Sequence, residues 1–272
     1  MRRVRRIVAL GLMVAGGLFA AATEAPAQES QTLNRVITSR TLRVGMSGAQ
    51  PPYNVVSRSG DVIGIEVDIA TLLAAAMQVD LQIVRRPFPQ LLDALVAGEV
   101  DMVMSGMAIT PQRARRVSFV GPHLLSGKSI LTNSRALAAV QETEDFDQSN
   151  LKLAALQNST SERFIERHLP NAQFVPLQDY EAGIQMVIND EVDALVADIM
   201  ICLLTVLRYP NAGLLTLSEP LTIEPLGIAV PRDDRQFHGL IENYVDALEG
   251  TGVLMQLRKA WLEDGSWIAQ LP

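Results

Sequence analysis

One pattern occurs twice in the chain and restricts its fold more than any other feature. The segment Glu99-Val100-Asp101-Met102-Val103 recurs 92 residues later as Glu191-Val192-Asp193-Ala194-Leu195. Each copy follows an amphipathic helix pattern and a polar turn, and each opens an apolar run typical of a buried strand. The shared helix–turn–strand context predicts two lobes of similar construction.

Strand and helix signals alternate around both copies of this pattern. Apolar runs predict strands at 42–46, 81–84, 100–104, 151–156, 174–175 and 192–197. Helical periodicity predicts helices at 64–79, 88–97, 161–169, 178–189, 236–248 and 253–262. Such alternation is typical of an α/β fold with mostly parallel sheets.

The two runs of elements divide the chain into two lobes, for which 272 residues are sufficient. We expect the chain to cross between the lobes near Ser126 to Thr132 and to return near Leu226 to Val230. The first lobe then comprises residues 28–127 and 226–272, and the second comprises residues 128–225.

The N-terminus has the three parts of a secretory signal peptide. Four arginines lie within residues 1–6, a mostly apolar and uncharged run extends from Ile7 to Ala22, and Ala25-Pro26-Ala27 forms a cleavage site. We expect residues 1–27 to be the signal peptide, with cleavage after Ala22 as the alternative. A membrane anchor is the competing interpretation, but the run is shorter than the roughly 20 residues that span a bilayer.

Charge and cysteine content exclude several classes of protein. The formal net charge is −7, and removal of residues 1–27 leaves 19 basic and 29 acidic residues, a net charge of −10. A nucleic-acid-binding protein would instead show a basic stripe. Cys202 is the only cysteine and the three histidines lie far apart in the sequence, so we expect no disulfide, no metal site and no cofactor. Cys202 itself is predicted to be an inert core residue.

Candidate binding residues follow the first copy of the repeated strand, because ligands of α/β proteins bind beyond the carboxyl ends of strands. The strand leads into Ser105-Gly106-Met107-Ala108 and then into Thr110-Pro111, which marks a helix start. Arg113 lies in the first turn of that helix, where a cation is unfavourable unless it meets an anion. Its guanidinium can grip a carboxylate with two hydrogen bonds. The alternative is a solvated arginine beside Arg115 and Arg116.

The second copy of the repeated strand ends at Asp198. A carboxylate at the end of a buried strand needs a partner, and no cationic residue lies near it in the sequence. A ligand ammonium is one candidate; a cap for the following helix is the alternative, and both roles are compatible. Ser159 and Glu162 have capping-box spacing at another helix start, whose free N–H groups can also bind an anion.

Two aromatic residues occur in rigid, proline-rich loops. Tyr53 follows Pro51-Pro52, and Phe88 lies between Pro87 and Pro89. Each is predicted either to form a wall of the ligand pocket or to pack in the core.

These motifs together resemble the family-3 extracellular solute-binding proteins of polar amino-acid ABC importers. The resemblance covers essentially the whole mature chain. It rests on Pro51-Pro52-Tyr53, Gly64-Ile65-Glu66-Val67-Asp68-Ile69-Ala70, the run from Asp101 to Ala114, Val117-Ser118-Phe119 and Ser126-Gly127. It implies a type II periplasmic-binding-protein fold, with two α/β lobes, a hinge of two crossing strands, and a cleft that closes on the ligand.

The resemblance also implies a role for each candidate residue. The implied roles are carboxylate binding by Arg113, ammonium binding by Asp198, donation to the carboxylate from the second lobe by Thr160 and Ser159, an apolar wall at Phe88, and strand-end backbone contacts at Ser105, Gly106 and Met107. Four positions depart from the family pattern: Ala108 replaces a hydroxyl residue, Gln50 an aromatic lid, Ser47 a frequent aspartate, and Asn158 a glycine. Without an acid at Ser47 a cationic side chain loses a partner, so we expect a neutral amino acid.

The expected function is capture of a small amino acid or related carboxylate in the periplasm and its delivery to ABC permease subunits in the inner membrane. The protein is expected to be a monomer and not an enzyme. One alternative is an enzyme similar to periplasmic cyclohexadienyl dehydratases, although Asp198 is followed by Ile199, Met200 and Ile201, so no second acid lies in that turn. The other alternative is a soluble ligand-sensing partner of a receptor.

Overall fold

The structure is a computed structural model that describes residues 29–140, 146–148 and 150–271. The predicted signal peptide, residues 1–27, lies outside the described residues. Within the described ranges, no helix has the length and apolar character required to cross a bilayer.

The described residues form thirteen strands and ten α-helices. The strands are β1 (Thr41–Met46), β2 (Ala49–Gln50), β3 (Asn54–Val56), β4 (Val62–Ile63), β5 (Asp80–Arg85), β6 (Met102–Val103), β7 (Ser118–Ser126), β8 (Lys128–Thr132), β9 (Lys152–Leu156), β10 (Gln173–Leu177), β11 (Ala194–Asp198), β12 (Leu215–Thr216) and β13 (Glu224–Val230). The helices are α1 (Gln31–Ser39), α2 (Ile65–Ala76), α3 (Leu91–Val96), α4 (Pro111–Ala114), α5 (Arg135–Ala138), α6 (Thr160–His168), α7 (Tyr180–Ile188), α8 (Ile199–Arg208), α9 (Arg235–Gly250) and α10 (Val253–Arg258).

Two five-stranded sheets form the centres of two lobes, as predicted. Lobe one is built on the order β5-β1-β6-β13-β7, and lobe two on the order β10-β9-β11-β8-β12. A small third sheet, β2-β3-β4, is separate from both five-stranded sheets. The α/β class and the two lobes are thereby confirmed.

The sheets are mixed, which corrects the expectation that they are mostly parallel. In lobe one, β1 pairs in parallel with β5 and β6, whereas β13 is antiparallel to β6 and β7. Lobe two repeats this arrangement: β9 is parallel to β10 and β11, whereas β8 is antiparallel to β11 and β12. Consecutive parallel strands need a long crossover connection between them. The strands β8 and β13 begin directly after the two segments that join the lobes, without such a connection, and they are the antiparallel strands of their sheets.

The repeated Glu-Val-Asp segment has the same structural role in both lobes. In lobe one, the Asp101 carboxylate accepts a hydrogen bond from the Arg43 backbone N–H at 2.7 Å, and the Asp101 N–H donates to the Arg43 carbonyl at 2.9 Å. In lobe two, Asp193 accepts from the Lys152 N–H at 2.7 Å and donates to the Lys152 carbonyl at 3.0 Å. Each aspartate thus fixes the register of its strand against the neighbouring parallel strand, β1 in lobe one and β9 in lobe two.

Most predicted elements are present with shorter bounds. The strand predicted at 100–104 contracts to Met102–Val103, and the helix predicted at 88–97 begins with a 3₁₀ turn, Phe88–Gln90, before α3. The last predicted helix, 253–262, is α10 followed by a π-helical turn at Lys259–Glu263. Pro89 is the second residue of the 3₁₀ turn, a position in the first turn of a helix where its missing N–H is tolerated.

Two short segments connect the lobes. The chain leaves lobe one at Gly127 and returns between β12 and β13. The segments lie side by side, because the Leu221 N–H donates to the Lys128 carbonyl at 2.7 Å and the Lys128 N–H donates to Thr222 Oγ1 at 2.9 Å. The return therefore precedes the predicted position at 226–230, which lies inside β13. The lobe boundaries stated above remain a prediction.

The C-terminal segment reaches from lobe one to lobe two. A 3₁₀ turn at Gly265–Gln270 presents Trp267, which packs with Leu271 against Leu204 of α8. This apolar cluster lies beside the cleft and links the end of the chain to the second lobe.

Candidate functional site

Arg113 lies buried between the lobes. The Thr110 hydroxyl caps α4 by accepting from the Arg113 N–H at 3.2 Å, and the residue is only 4% exposed. Its Nη1 donates to the Ala108 carbonyl at 2.9 Å, and its Nη2 donates to the Asn158 carbonyl, on the other lobe, at 3.0 Å. The guanidinium also lies over the Phe88 ring, 5.6 Å from its centroid. The solvated alternative for Arg113 is therefore wrong.

The Arg113 guanidinium remains charged at neutral pH. Burial lowers its pKa from 12.5 to about 10, and the nearby Arg163 adds to this effect. A buried cation whose described partners are neutral carbonyl groups can bind an anion strongly.

Asp198 has a cationic partner that the sequence did not reveal. Lys128 Nζ lies 2.5 Å from Asp198 Oδ1 and 3.0 Å from Glu224 Oε2. The register of β11 against β8 pairs Asp198 directly with Lys128, although 70 residues separate them. The partner that a buried carboxylate needs is thus supplied by a lysine distant in the sequence, and an ammonium-binding role of Asp198 remains a prediction. The alternative role as a cap is not realised, because the Asp198 side chain makes no capping hydrogen bond to α8.

Lys128, Asp198 and Glu224 form a buried ionic cluster, here called the hinge triad. Lys128 is 2% exposed and Asp198 is 3% exposed. Burial raises the pKa of the Asp198 carboxyl, and Lys128 offsets only part of the increase. Burial alone would lower the pKa of Lys128, but the two carboxylates raise it above its usual value. The two shifts have different causes: burial dominates for Asp198, whereas the two neighbouring carboxylates together dominate for Lys128.

The start of α6 supplies Thr160 and Ser159. Thr160 Oγ1 donates to Glu224 Oε2 at 2.7 Å, so its hydroxyl faces the hinge triad. Ser159 caps the helix, because its Oγ accepts from the N–H groups of Ser161 at 3.1 Å and Glu162 at 3.2 Å. The predicted capping role of Ser159 is confirmed. Direct contact of Thr160 and Ser159 with a ligand remains a prediction.

The strand end of lobe one forms the floor of the site. Ser105 Oγ donates to Gln50 Oε1 at 2.5 Å, and Ser47 Oγ donates to the same oxygen at 3.0 Å. The Gly106 N–H donates to both carboxylate oxygens of Glu66 at 3.0 Å. These bonds make the floor rigid and orient the side chain of Gln50.

Gly106 and Met107 complete this floor through their backbone. Gly106 has a φ of 54°, and a Cβ on it would lie 2.8 Å from the Tyr53 ring, so only glycine fits. Met107 is 1% exposed, and its carbonyl accepts from the Gly227 N–H at 3.0 Å. Ala108 forms a β-bridge with Leu226 of β13, which ties the floor to the strand that returns from lobe two.

Aromatic rings enclose the site from both lobes. Tyr53 is 1% exposed, its hydroxyl donates to Ser126 Oγ at 3.0 Å near the hinge, and burial raises its pKa. Phe88 and Tyr180 line a cavity of about 310 Å³ at the mouth of the cleft, together with Gln50 and Ser47. Phe88 therefore lines this cavity and Tyr180 adds a wall from lobe two, whereas Tyr53 packs in the core. Contact of these aromatic residues with a ligand remains a prediction.

Sequence reasoning missed Lys128, Glu224 and Tyr180. Lys128 had a usable signal: it opens the strand Lys128–Thr132, whose other residues are all uncharged. A lysine in a buried strand needs an acidic partner. Glu224 had no such signal, because it reaches the triad through the fold of the hinge alone.

The comparisons with known proteins agree with this architecture. The family model described as bacterial extracellular solute-binding proteins, family 3, matches residues 42–264. The chain is 27% identical over 237 residues to the cyclohexadienyl dehydratase of Pseudomonas aeruginosa, covering 87% of this chain and 88% of that one. It is 24% identical over 225 residues to ABC transporter arginine-binding protein 1 of Escherichia coli, covering 81% and 90%.

Solved structures show the same fold. A crystal structure of an ancestral amino acid-binding protein, a precursor of cyclohexadienyl dehydratase, superposes with a TM-score of 0.78 at 27% identity, over 86% of this chain and 100% of that one. The type II periplasmic-binding-protein fold is thereby confirmed. Because the family model matches most of its length, the chain belongs to the bacterial extracellular solute-binding proteins, family 3.

Proposed function

We propose that the protein captures a neutral amino acid by closure of its lobes and delivers it to an ABC permease. The observation that carries this proposal is the distribution of charge in the cleft. The hinge triad has one base and two acids, a formal charge of −1, and Arg113 has a charge of +1.

Each of these two groups matches one half of a zwitterion. The triad can accept one ammonium, and Arg113 can accept one carboxylate, after which the site is electrically balanced. A third charge on the ligand finds no counter-charge in Arg113 or in the hinge triad, because the carboxylate and the ammonium already pair with them. The net charge of the ligand therefore decides which amino acids fit.

Closure follows from the position of these groups. Arg113 belongs to lobe one, whereas Asp198 belongs to lobe two and Glu224 begins the strand that returns from it. A ligand that bridges Arg113 and the triad favours the closed form, because only differential affinity for that form shifts the equilibrium. The cavity beside Phe88 and Tyr180 is available to the ligand side chain.

Delivery to a permease in the inner membrane, the periplasmic location and a monomeric state remain part of the proposal. The family and a relative named as an arginine-binding protein of an ABC transporter support the location and the delivery, whereas the monomeric state is an expectation.

A thermal-shift screen followed by calorimetry tests the proposal. The panel contains neutral, cationic and acidic amino acids, and the 2-oxo acid that corresponds to the best neutral ligand. A neutral amino acid is expected to raise the melting temperature, because a ligand selective for the native state stabilises it. The 2-oxo acid, which lacks the ammonium, is expected to bind weakly. Preference for the 2-oxo acid or for a charged amino acid would overturn the proposal.

Arg113→Ala in the same assay tests the carboxylate site. The loss of a buried bidentate partner costs about 2–5 kcal/mol, which corresponds to a roughly 30-fold to several-thousand-fold loss of affinity. Arg116→Ala is the matched control, because Arg116 pairs with Asp93 on the surface. Equal affinities of the two variants would contradict the role of Arg113.

A second candidate function is the elimination reaction of a dehydratase. Asp198 is a buried carboxyl group whose pKa is raised by burial, and a carboxyl group with a raised pKa is the type of residue that serves as a general acid. The similarity to the cyclohexadienyl dehydratase of Pseudomonas aeruginosa points the same way. Incubation with prephenate and arogenate distinguishes the two functions. Turnover that Asp198→Asn abolishes would favour the enzyme.

A further inference from the structure

We propose that Lys128 determines specificity by occupying the place of a ligand side-chain cation, and thereby excludes cationic amino acids from the cleft. The inference rests on the proposed function, since it concerns which amino acids the same site admits. In this proposal Lys128 sets the class of ligand without itself binding the ligand.

The geometry around Lys128 is that of a bound cation. Its Nζ lies between two carboxylates, 2.5 Å from Asp198 Oδ1 and 3.0 Å from Glu224 Oε2, and the side chain is 2% exposed. A buried ammonium is costly unless carboxylates surround it. Asp198 and Glu224 therefore form a cation site whose occupant belongs to the chain itself.

The backbone keeps this occupant in place. Lys128 is paired with Asp198 in the β8–β11 register, and its N–H donates to Thr222 Oγ1 at 2.9 Å. Its carbonyl accepts from the Leu221 N–H at 2.7 Å. These bonds fix the Lys128 backbone between β11 and the return segment, while Asp198 and Glu224 hold the buried side chain.

The net charge of the hinge triad then determines which class of amino acid binds. With Lys128 present, the triad has a net charge of −1 and can pair with one ligand ammonium. Without Lys128, Asp198 and Glu224 have a charge of −2, and a ligand with two cationic groups balances them. Arg113 is the cation that the proposed function assigns to the ligand carboxylate. A relative whose name states that it binds arginine shows that related proteins accept a second cation.

Substitution of Lys128 is therefore expected to change the ligand preference from neutral to cationic amino acids. In Lys128→Ala, the affinity for lysine and arginine is expected to rise at least tenfold over the wild type, while the affinity for the neutral ligand falls. The double variant Lys128→Ala/Glu224→Gln is the matched control, since it has the same freed volume and a net charge of −1. It is expected to retain the neutral preference and to gain no affinity for lysine. Calorimetry with lysine, arginine and the best neutral amino acid measures all three proteins.

The outcomes separate this inference from the proposed function. If the wild type binds no neutral amino acid, the proposed function fails. If the wild type binds one but folded Lys128→Ala gains no affinity for cations, the inference fails alone. An equal gain in the double variant would show that space and not charge is decisive, and would also overturn it. If circular dichroism shows that Lys128→Ala does not fold by itself, added lysine is expected to restore its thermal transition, and the lack of any restoration contradicts the inference.

Discussion

Arg113 is directed into the cleft by the two residues that begin its helix. Thr110 caps α4 and Pro111 occupies its first position, so the start of the helix is fixed and its third residue points towards the second lobe. The four-residue helix is too short to be stable alone. It serves to position one guanidinium against Ala108 on its own lobe and Asn158 on the other.

The reactivity of the Cys202 thiol tests whether the interior around it is closed to solvent. It is 0% exposed, and burial raises the pKa of its thiol to about 12. At pH 8 about one in ten thousand of these thiols is ionised, and only the thiolate reacts. We expect no reaction with a thiol reagent at pH 8 in the native protein and complete reaction in guanidinium chloride.

The pH dependence of this labelling has a defined sign. The folded state holds the thiol proton more tightly than the unfolded chain, so ionisation favours unfolding as pH rises above 9 towards 12. Labelling is therefore expected to accelerate with pH through opening of the fold. Stoichiometric labelling of native protein at pH 8 would contradict the burial of Cys202, which is the only cysteine in the chain.

At the scale of elements, the sequence predicts what depends on neighbours along the chain. The helix predicted at 64–79, which is α2, and the cap at Ser159 are local features, and both were predictable. The antiparallel pairing of β13 with β7 was not, because contacts between distant segments leave no periodic signal. The hinge triad could not be predicted for the same reason, because its members lie at 128, 198 and 224 and come into contact only in the folded chain.

The contact between α8 and the C-terminal segment joins the two lobes, and we expect it to form on closure. Leu204 is 7% exposed and packs against Trp267 and Leu271. Leu204→Ala removes part of this burial and is expected to lower ligand affinity by about 1–2 kcal/mol, or roughly five- to thirtyfold. Leu207→Ala on the same helix is the control, because Leu207 is 64% exposed.

The melting temperatures of free and ligand-bound Leu204→Ala distinguish a role of this contact in closure from a role in the stability of the fold. If the contact forms on closure, the melting temperature of the bound protein falls more than that of the free protein. Equal decreases in both states would show that the cluster supports the fold and has no part in closure.

At the scale of the whole molecule, closure depends on how closely the two hinge segments approach. A Cβ on Gly127 would lie 1.9 Å from the Thr222 carbonyl oxygen, a distance at which the backbone must move. The same segments hold Lys128 and Glu224, so their separation would also disturb the hinge triad. The geometry of the hinge and the charge of the site are therefore coupled.

Gly127→Ala is expected to keep both lobes folded and to impair closure. The added methyl group pushes the segments apart, so we expect at least a tenfold loss of affinity for the best neutral amino acid. Small-angle X-ray scattering is expected to show that the ligand no longer reduces the radius of gyration. Gly239→Ala is the matched control: Gly239 lies in α9 with no atom within 4 Å of its added Cβ, so the change stabilises the protein by about 0.5–1 kcal/mol and leaves affinity unchanged. Ligand-induced compaction of Gly127→Ala equal to that of Gly239→Ala would mean that the molecule closes about some other point.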